Sequence, residues 1–189
     1  MGLNDLCKKV ATRDHIAGQK ANICCSQETK MPVITQADVR VICGDKLSSF
    51  VFKPSRGASG GILLCWDDRE RFMIDWRMGN YSISVLFEDR ATSWRWICSS
   101  VYGPCEDEDK GGLWEELSSV KRDWGLPWCI LGDFNVTRFV EDRNQPGPIS
   151  PAIWRSSLHG LHRKSYWICR SLIWGLHGAT YGRSLLSLS

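Results

Sequence analysis

Apolar and polar positions alternate cleanly over Tyr81-Ser82-Ile83-Ser84-Val85-Leu86-Phe87, the period-two pattern of a half-buried strand. Shorter apolar runs surround it. Residues 21–25, 47–52, 62–66, 72–76, 94–101 and 128–131 each read as a strand, those at 62–66, 72–76 and 128–131 as buried ones, and turn-forming residues separate most of them. Arg56-Gly57-Ala58-Ser59-Gly60-Gly61 reads as a turn, and residues 89–93 as a connection. Hairpin-linked strands at this spacing predict a largely antiparallel sheet or sandwich.

Three segments carry the helical period instead. Asn4 or Asp5 can cap a helix running to about residue 20, with Leu6, Val10 and Ala17 on its inner face. Residues 31–41 form a weaker second pattern, with Pro32 tolerated in the first turn. Leu113, Leu117, Val120 and Trp124 repeat at helical spacing before Pro127.

The composition changes after Asp142: residues 143–189 contain no Asp or Glu. His159, His162, His177, Trp154, Trp167 and Trp174 fall there, and neither period holds for long. Residues 1–143 are therefore expected to form the domain, and residues 144–189 a divergent, poorly packed tail. No internal repeat is present.

The 189 residues suit one domain, or one domain with a tail, and 43% hydrophobic with 24% charged residues excludes a wholly disordered chain. A net charge of +3 cannot support nucleic-acid binding by bulk charge, so such binding needs a local site. The ten Trp fall mostly at apolar positions of strands and helices, where core packing is expected. The nine Cys show no CxxC spacing, which argues for a reducing compartment and against zinc. Cys24 and Cys25 are expected to face the two buried sides of one strand. Residues 1–15 lack the apolar stretch of a secretory signal, and Leu6 stands where a myristoylation motif needs Ser or Thr. No apolar run of about 18 residues is present. The expectation is a soluble intracellular protein, with the nucleus as a candidate compartment and no membrane contact.

Candidate chemistry sits directly after three apolar strands: Glu28 in SQET, Tyr102 in YGP, and Asp133 with Asn135 in GDFN. Strand ends that meet at one rim of a sandwich can bring distant polar groups into one site. A Glu28 carboxylate suits a hard cation such as Mg²⁺. Asp133 and Asn135 can activate water and orient a phosphate oxygen. The Tyr102 phenol can hydrogen-bond a phosphoryl oxygen. Each motif alone is more often structural: a surface carboxylate, a turn former or a packing aromatic. Their common placement after strands carries the signal. Lys53, Arg56 and Arg69, grouped near the glycine-rich turn, could meet phosphates or simply solubilise loops.

The segments SQETK, SRGASGGILLCWD, GNYSISVLF, SSVYGP and LWEELSSVKRDWGLPWCILGDFNVTRF together resemble the endonuclease/exonuclease/phosphatase superfamily. More narrowly they resemble the endonuclease domain of plant LINE-type (non-LTR) retrotransposon polyproteins. The resemblance spans roughly residues 2–143. It implies an α/β (α+β) four-layer sandwich of two mostly antiparallel sheets flanked by helices. It also implies Mg²⁺-dependent cleavage of a phosphodiester in DNA. On this resemblance Glu28 is the metal ligand, and Tyr102 contacts the phosphate. Asp133 positions or protonates the water or leaving group, and Asn135 orients the phosphate.

The chain departs from the family pattern at both ends. Family members begin with a strand whose Asn lies beside the metal, and Asn4 matches only the later part of that pattern. They end with an Asp-His pair, whereas no Asp follows Asp142 here. His159, His162 and His177 are therefore expected to be ordinary polar residues. The break near Trp154 is what a reading-frame change would leave. The expectation is a sandwich incomplete at both ends, with impaired or no nuclease activity. The alternatives are a non-catalytic relic that binds nucleic acid weakly, or a small-molecule phosphatase.

Overall fold

The computed structural model describes residues 2–19, 21–56 and 60–135, together with the backbone of residues 166–169. The elements are α1 (Leu6–Gln19), β1 (Ile23–Gln27), α2 (Gln36–Cys43), β2 (Ser49–Lys53), β3 (Ile62–Trp66), β4 (Arg71–Met78), β5 (Ser82–Asp89) and β6 (Arg95–Tyr102). A 3₁₀ turn at Asp107–Asp109, α3 (Lys110–Trp124), β7 (Trp128–Asp133) and β8 (Tyr166–Cys169) follow.

Two sheets form, ordered β1-β3-β2 and β4-β5-β6-β7-β8. The pairs β1–β3, β2–β3, β4–β5 and β5–β6 are antiparallel, whereas β6–β7 and β7–β8 are parallel. The strands are mostly antiparallel, as their spacing predicts, and form the two-sheet α+β arrangement that the resemblance implies.

The period-two rule explains how the layers stack. On β3, Leu63 and Cys65 enter a core shared with Ile16 of α1 and with Val39, Ile42 and Cys43 of α2. Ile62, Leu64 and Trp66 face the other way, into a core with Ile83, Val85, Phe87 and Cys98 of the larger sheet. The opposite face of that sheet packs Ile97, Val101, Trp128 and Ile130 against Leu113, Leu117 and Val120 of α3. The layer order is therefore α1 with α2, small sheet, large sheet, α3. Adjacent Cys24 and Cys25 split between the first two cores and are both fully buried. Each fully buried Leu, Ile, Val or Phe of these cores contributes on the order of 1.5–3 kcal/mol.

Several expected boundaries shift, each for a local reason. Helix α2 starts at Gln36 rather than at residue 31. Thr35 Oγ1 accepts from Asp38 N (3.2 Å) and Asp38 Oδ2 accepts from Thr35 N (3.0 Å), a reciprocal cap that fixes the start. Met31 and Ile34 precede the helix and still reach the core. Helix α3 starts earlier, at Lys110, and ends at Gly125 in the left-handed region. Strand β4 is longer than the expected residues 72–76 and sits at a sheet edge with a bulge between Met73 and Asp75. Phe72 and Trp76 therefore stay 37% and 40% exposed, which corrects the expectation of a buried strand. Trp94 is likewise exposed, whereas Trp66 and Trp128 are buried.

Of residues 144–189, the four of β8 are described. Their run of Tyr, Trp, Ile and Cys has high strand propensity and pairs in parallel with β7, adding a strand that the sequence pattern had not marked. The expectation of poor packing for the rest of that stretch lies outside the described residues.

Asp38 also accepts from Lys9 Nζ of α1 at 2.5 Å, so one carboxylate caps α2 and ties it to α1. The Lys9 contact, with the Thr35 bonds, lowers its pKa to about 2 from an ordinary 3.8. A carboxylate lowered by folding stabilises fully above its unfolded pKa and loses that contribution as the pH falls through the folded value. Urea midpoints measured from pH 5 down to pH 2 are therefore expected to fall less in Asp38→Asn than in the parent. At pH 7 the variant should be less stable by about 1–2 kcal/mol.

Candidate active site

The topology brings several strand ends to one rim. Strands β1 and β2 both run antiparallel to β3, so Gln27 and Lys53 share the register partner Ile62. On the facing sheet, β6 and β7 run in parallel and end on the paired residues Tyr102 and Asp133. The Tyr102 hydroxyl donates to the Glu28 carboxylate, joining the end of β1 to the end of β6 across the sandwich. Directly behind, the buried Gln27 side chain donates to Ser100 Oγ at 3.2 Å, a second bridge between the sheets. Gln27 and Ser100 were not singled out in the sequence. Their signal is the polar pair, Ser26-Gln27 or Ser99-Ser100, that closes or interrupts each apolar run and that buried partners must satisfy.

Glu28 adopts a left-handed φ of +51°, uncommon for a residue with a long side chain. The following backbone is pinned: Thr29 N donates to Gly61 O (3.2 Å), Lys30 N to Gly60 O (3.1 Å), and Leu3 N to Thr29 O (2.7 Å). The glycine-rich turn thus holds the Glu28 loop in place. The Tyr102 hydrogen bond lowers the Glu28 pKa; burial opposes this and the Lys30 charge assists it, so the carboxylate is ionised at neutral pH. Burial, the Glu28 hydrogen bond and the nearby Glu28 and Asp133 charges all raise the Tyr102 pKa, which keeps the phenol a donor. Both carboxylates therefore act on the same phenol.

Asp133 and Asn135 are set by close backbone approach. Gly103 N donates to Asp133 O (2.7 Å), and Asn135 Nδ2 donates to Gly103 O (2.7 Å). A β-carbon on Gly103 would lie 2.5 Å from Phe134 O, so glycine is required for this contact. Asp133 Oδ1 accepts from Asn135 N (2.8 Å), and Asn135 takes a φ of +49°, which Asn tolerates better than most residues. Phe134 stacks on Trp114 of α3 with centroids 5.9 Å apart, anchoring the turn from below. Asp133 itself is exposed. Asn135 also borders an open depression of about 490 Å³ lined by Cys105 and residues 106–110.

The cations considered with the site do not stay together. Lys53 lies at the rim and donates to Gly79 O (2.5 Å). Arg69 lies beyond the opposite end of β3, held by Asp67 through bonds of 2.7 and 2.8 Å, so its grouping with the glycine-rich turn is corrected. That grouping followed closeness in sequence, but β3 carries the chain the full depth of the sheet between the two. Arg56 follows β2 at the rim side and is exposed. His159, His162 and His177 lie outside the described residues.

Among the described residues, no group of three or more His, Cys, Asp or Glu is arranged as a metal cage. Mg²⁺ does not need one, because it keeps several waters and takes one or two carboxylates plus substrate phosphate. An ionised Glu28 fits that mode of binding.

No protein-family model matches this chain, and no curated protein does. Solved structures do. An AP endonuclease from Leishmania major superposes with a TM-score of 0.60 at 18% identity, covering 84% of this chain and 63% of that one. The human Nocturnin catalytic domain with bound sulfate gives 0.53 at 14% identity, covering 69% and 57%. An endonuclease/exonuclease/phosphatase protein from Bacteroides vulgatus gives 0.50 at 16% identity, covering 69% and 58%. The chain spans less than two thirds of the length of each. No helix among the described residues is long and apolar enough to cross a membrane. The fold of this chain is similar to that of these three structures.

Proposed function

We propose that the rim is a Mg²⁺-dependent phosphodiesterase site acting on DNA, of the LINE-type retrotransposon endonuclease kind, and slow in this 189-residue chain. The observation that carries the reading is the Tyr102–Glu28 hydrogen bond beside the Asp133–Asn135 turn, on a fold shared with nuclease and phosphatase structures. The narrower retrotransposon assignment, with its plant affinity, rests on the motif run from SQETK to GDFN. Residues 1–143 would be the catalytic unit and residues 144–189 a divergent tail.

In this reading Glu28 holds Mg²⁺, which when bound neutralises charge on the phosphate. The Tyr102 hydroxyl, whose one hydrogen is donated to Glu28 here, would turn that hydrogen to a phosphoryl oxygen when substrate binds. Asn135 uses one amide hydrogen on Gly103 O and presents the other to the phosphate. Asp133, exposed at the strand end, handles the proton. Water oxygen attacks phosphorus, the bond to the leaving oxygen breaks, and the proton released by water goes to Asp133 or on to the leaving oxygen.

The chemistry is expected to be slow because groups acting as a unit are strongly non-additive. The family's closing Asp-His pair has no counterpart among these 189 residues, since no Asp follows Asp142. The same observation supports a second reading, a non-catalytic relic that binds nucleic acid weakly. Supercoiled plasmid and p-nitrophenyl phosphate, each incubated with Mg²⁺ or with EDTA, separate the possibilities. Slow nicking with Mg²⁺ alone supports the proposal. Release of p-nitrophenol without nicking favours a phosphatase. Inertness with both substrates at saturating protein favours the relic.

A further inference from the structure

Six cysteines unrelated to the rim are buried or partly buried within the layers, and one pair is already in contact. Cys43, the last residue of α2, places its Sγ 3.4 Å from Sγ of Cys65, the last but one residue of β3. Cys24, the register partner of Cys65 on β1, lies in the same core. All eight described cysteines are free thiols. The group is not arranged to hold a metal among the described residues, so thiol chemistry is what the cluster has available.

We propose that Cys43 and Cys65 form an oxidation site, at which peroxide converts the two thiols into a disulfide joining α2 to the small sheet. The sulfurs need to close by a little over 1 Å to reach a bond of about 2.05 Å. Cys43 ends its helix and is followed by Gly44, with a φ of +77°, so the chain can adjust beside it.

Cys43 is the attacking thiol. Hydrogen bonds from Cys24 and Cys65 lower its pKa against the effect of burial, whereas Cys24 and Cys65 are both raised. Cys43 is also 5% exposed, whereas Cys65 is completely enclosed, so a small oxidant meets Cys43 first. Cys43 releases its proton and its thiolate attacks one oxygen of hydrogen peroxide; the O–O bond breaks, and the other oxygen leaves as hydroxide, which takes up the released proton to become water, giving a sulfenic acid. Cys65 then attacks the sulfenic sulfur. The S–S bond forms and the hydroxyl leaves as a second water with the Cys65 proton. Two thiols are oxidised by two electrons and one peroxide is reduced to two waters.

The test uses the full chain, treated with hydrogen peroxide under native conditions, alkylated, digested without reductant and mapped by mass spectrometry. The expected result is a Cys43–Cys65 linked peptide, a mass loss of about 2 Da and no such link in Cys43→Ala. Thermal melting of the parent before and after oxidation should show a rise in Tm, because the link closes a loop between residues 22 apart in sequence. Exposed Cys7 and Cys105 report that the oxidant was active. Oxidation of Cys7 and Cys105 with Cys43 and Cys65 both left reduced would overturn the proposal. So would a Cys24–Cys43 link in place of the expected one. Mapping the parent protein decides the matter even if Cys43→Ala fails to fold.

Discussion

Gly132→Ala is expected to leave little folded protein. Gly132 lies in β7 at a φ of +133°, a region that residues with a β-carbon avoid. Its register partner is Val101 on β6, and an added β-carbon would strike the Val101 carbonyl oxygen, with Val101 C and N each 2.8 Å away. These are backbone atoms inside a five-stranded sheet, so no flexible side chain can move aside. Overpacking at such a place combines with positive-φ strain to cost about 3 kcal/mol or more, a large share of a domain's usual stability. Soluble yield and a urea melt check this. Any soluble variant should also lose the Asp133–Gly103 hydrogen bond, because Gly132 sets the direction in which Asp133 leaves the strand.

Glu28→Ala and Asp133→Ala are expected to act on chemistry rather than on folding. Glu28 is half-buried and Asp133 exposed, and neither belongs to one of the three cores. Asp133→Ala removes one acceptor from the Asn135 amide, a loss of about 1 kcal/mol at a solvated turn. Glu28→Ala frees the Tyr102 hydroxyl next to water rather than inside a core. In the proposed mechanism each carboxylate is one member of a set that works together. Removing either should lower Mg²⁺-dependent nicking by about 10³-fold or to the detection limit. Circular dichroism and melting should stay close to those of the parent.

The strands were legible because their periodicity is strong. Residues 62–66 and 81–87 mark β3 and β5 almost to the residue, since both faces of β3 and the inner face of β5 are buried. Helix α2 was misplaced because Pro32 looks like a helix start, whereas the Thr35–Asp38 cap four residues beyond Met31 is the real one. The exposure of β4 could not be read, because Phe, Ile and Trp look alike on a central strand and on an edge. The parallel pairing of β6 with β7 was also invisible, since it depends on how α3 carries the chain back.

Site legibility divides along similar lines. Strand-end position was enough to single out Glu28, Tyr102, Asp133 and Asn135. What the sequence does not carry is how they are held. The Gly103 approach to Phe134, the Gln27–Ser100 bridge and the staple from the glycine-rich turn to Thr29 and Lys30 all join residues distant in sequence. Arg69 shows the opposite error, because nearness in sequence placed it beside the turn while β3 takes it to the far end.

The most direct measurement is nicking of supercoiled plasmid by the parent, Glu28→Ala and Asp133→Ala proteins, at matched concentration, with Mg²⁺ and with EDTA. The proposal predicts slow nicking by the parent with Mg²⁺, none with EDTA, and a loss of about 10³-fold or to background in both variants. Nicking that persists in EDTA, or that survives both substitutions unchanged, would contradict a metal-dependent site at this rim.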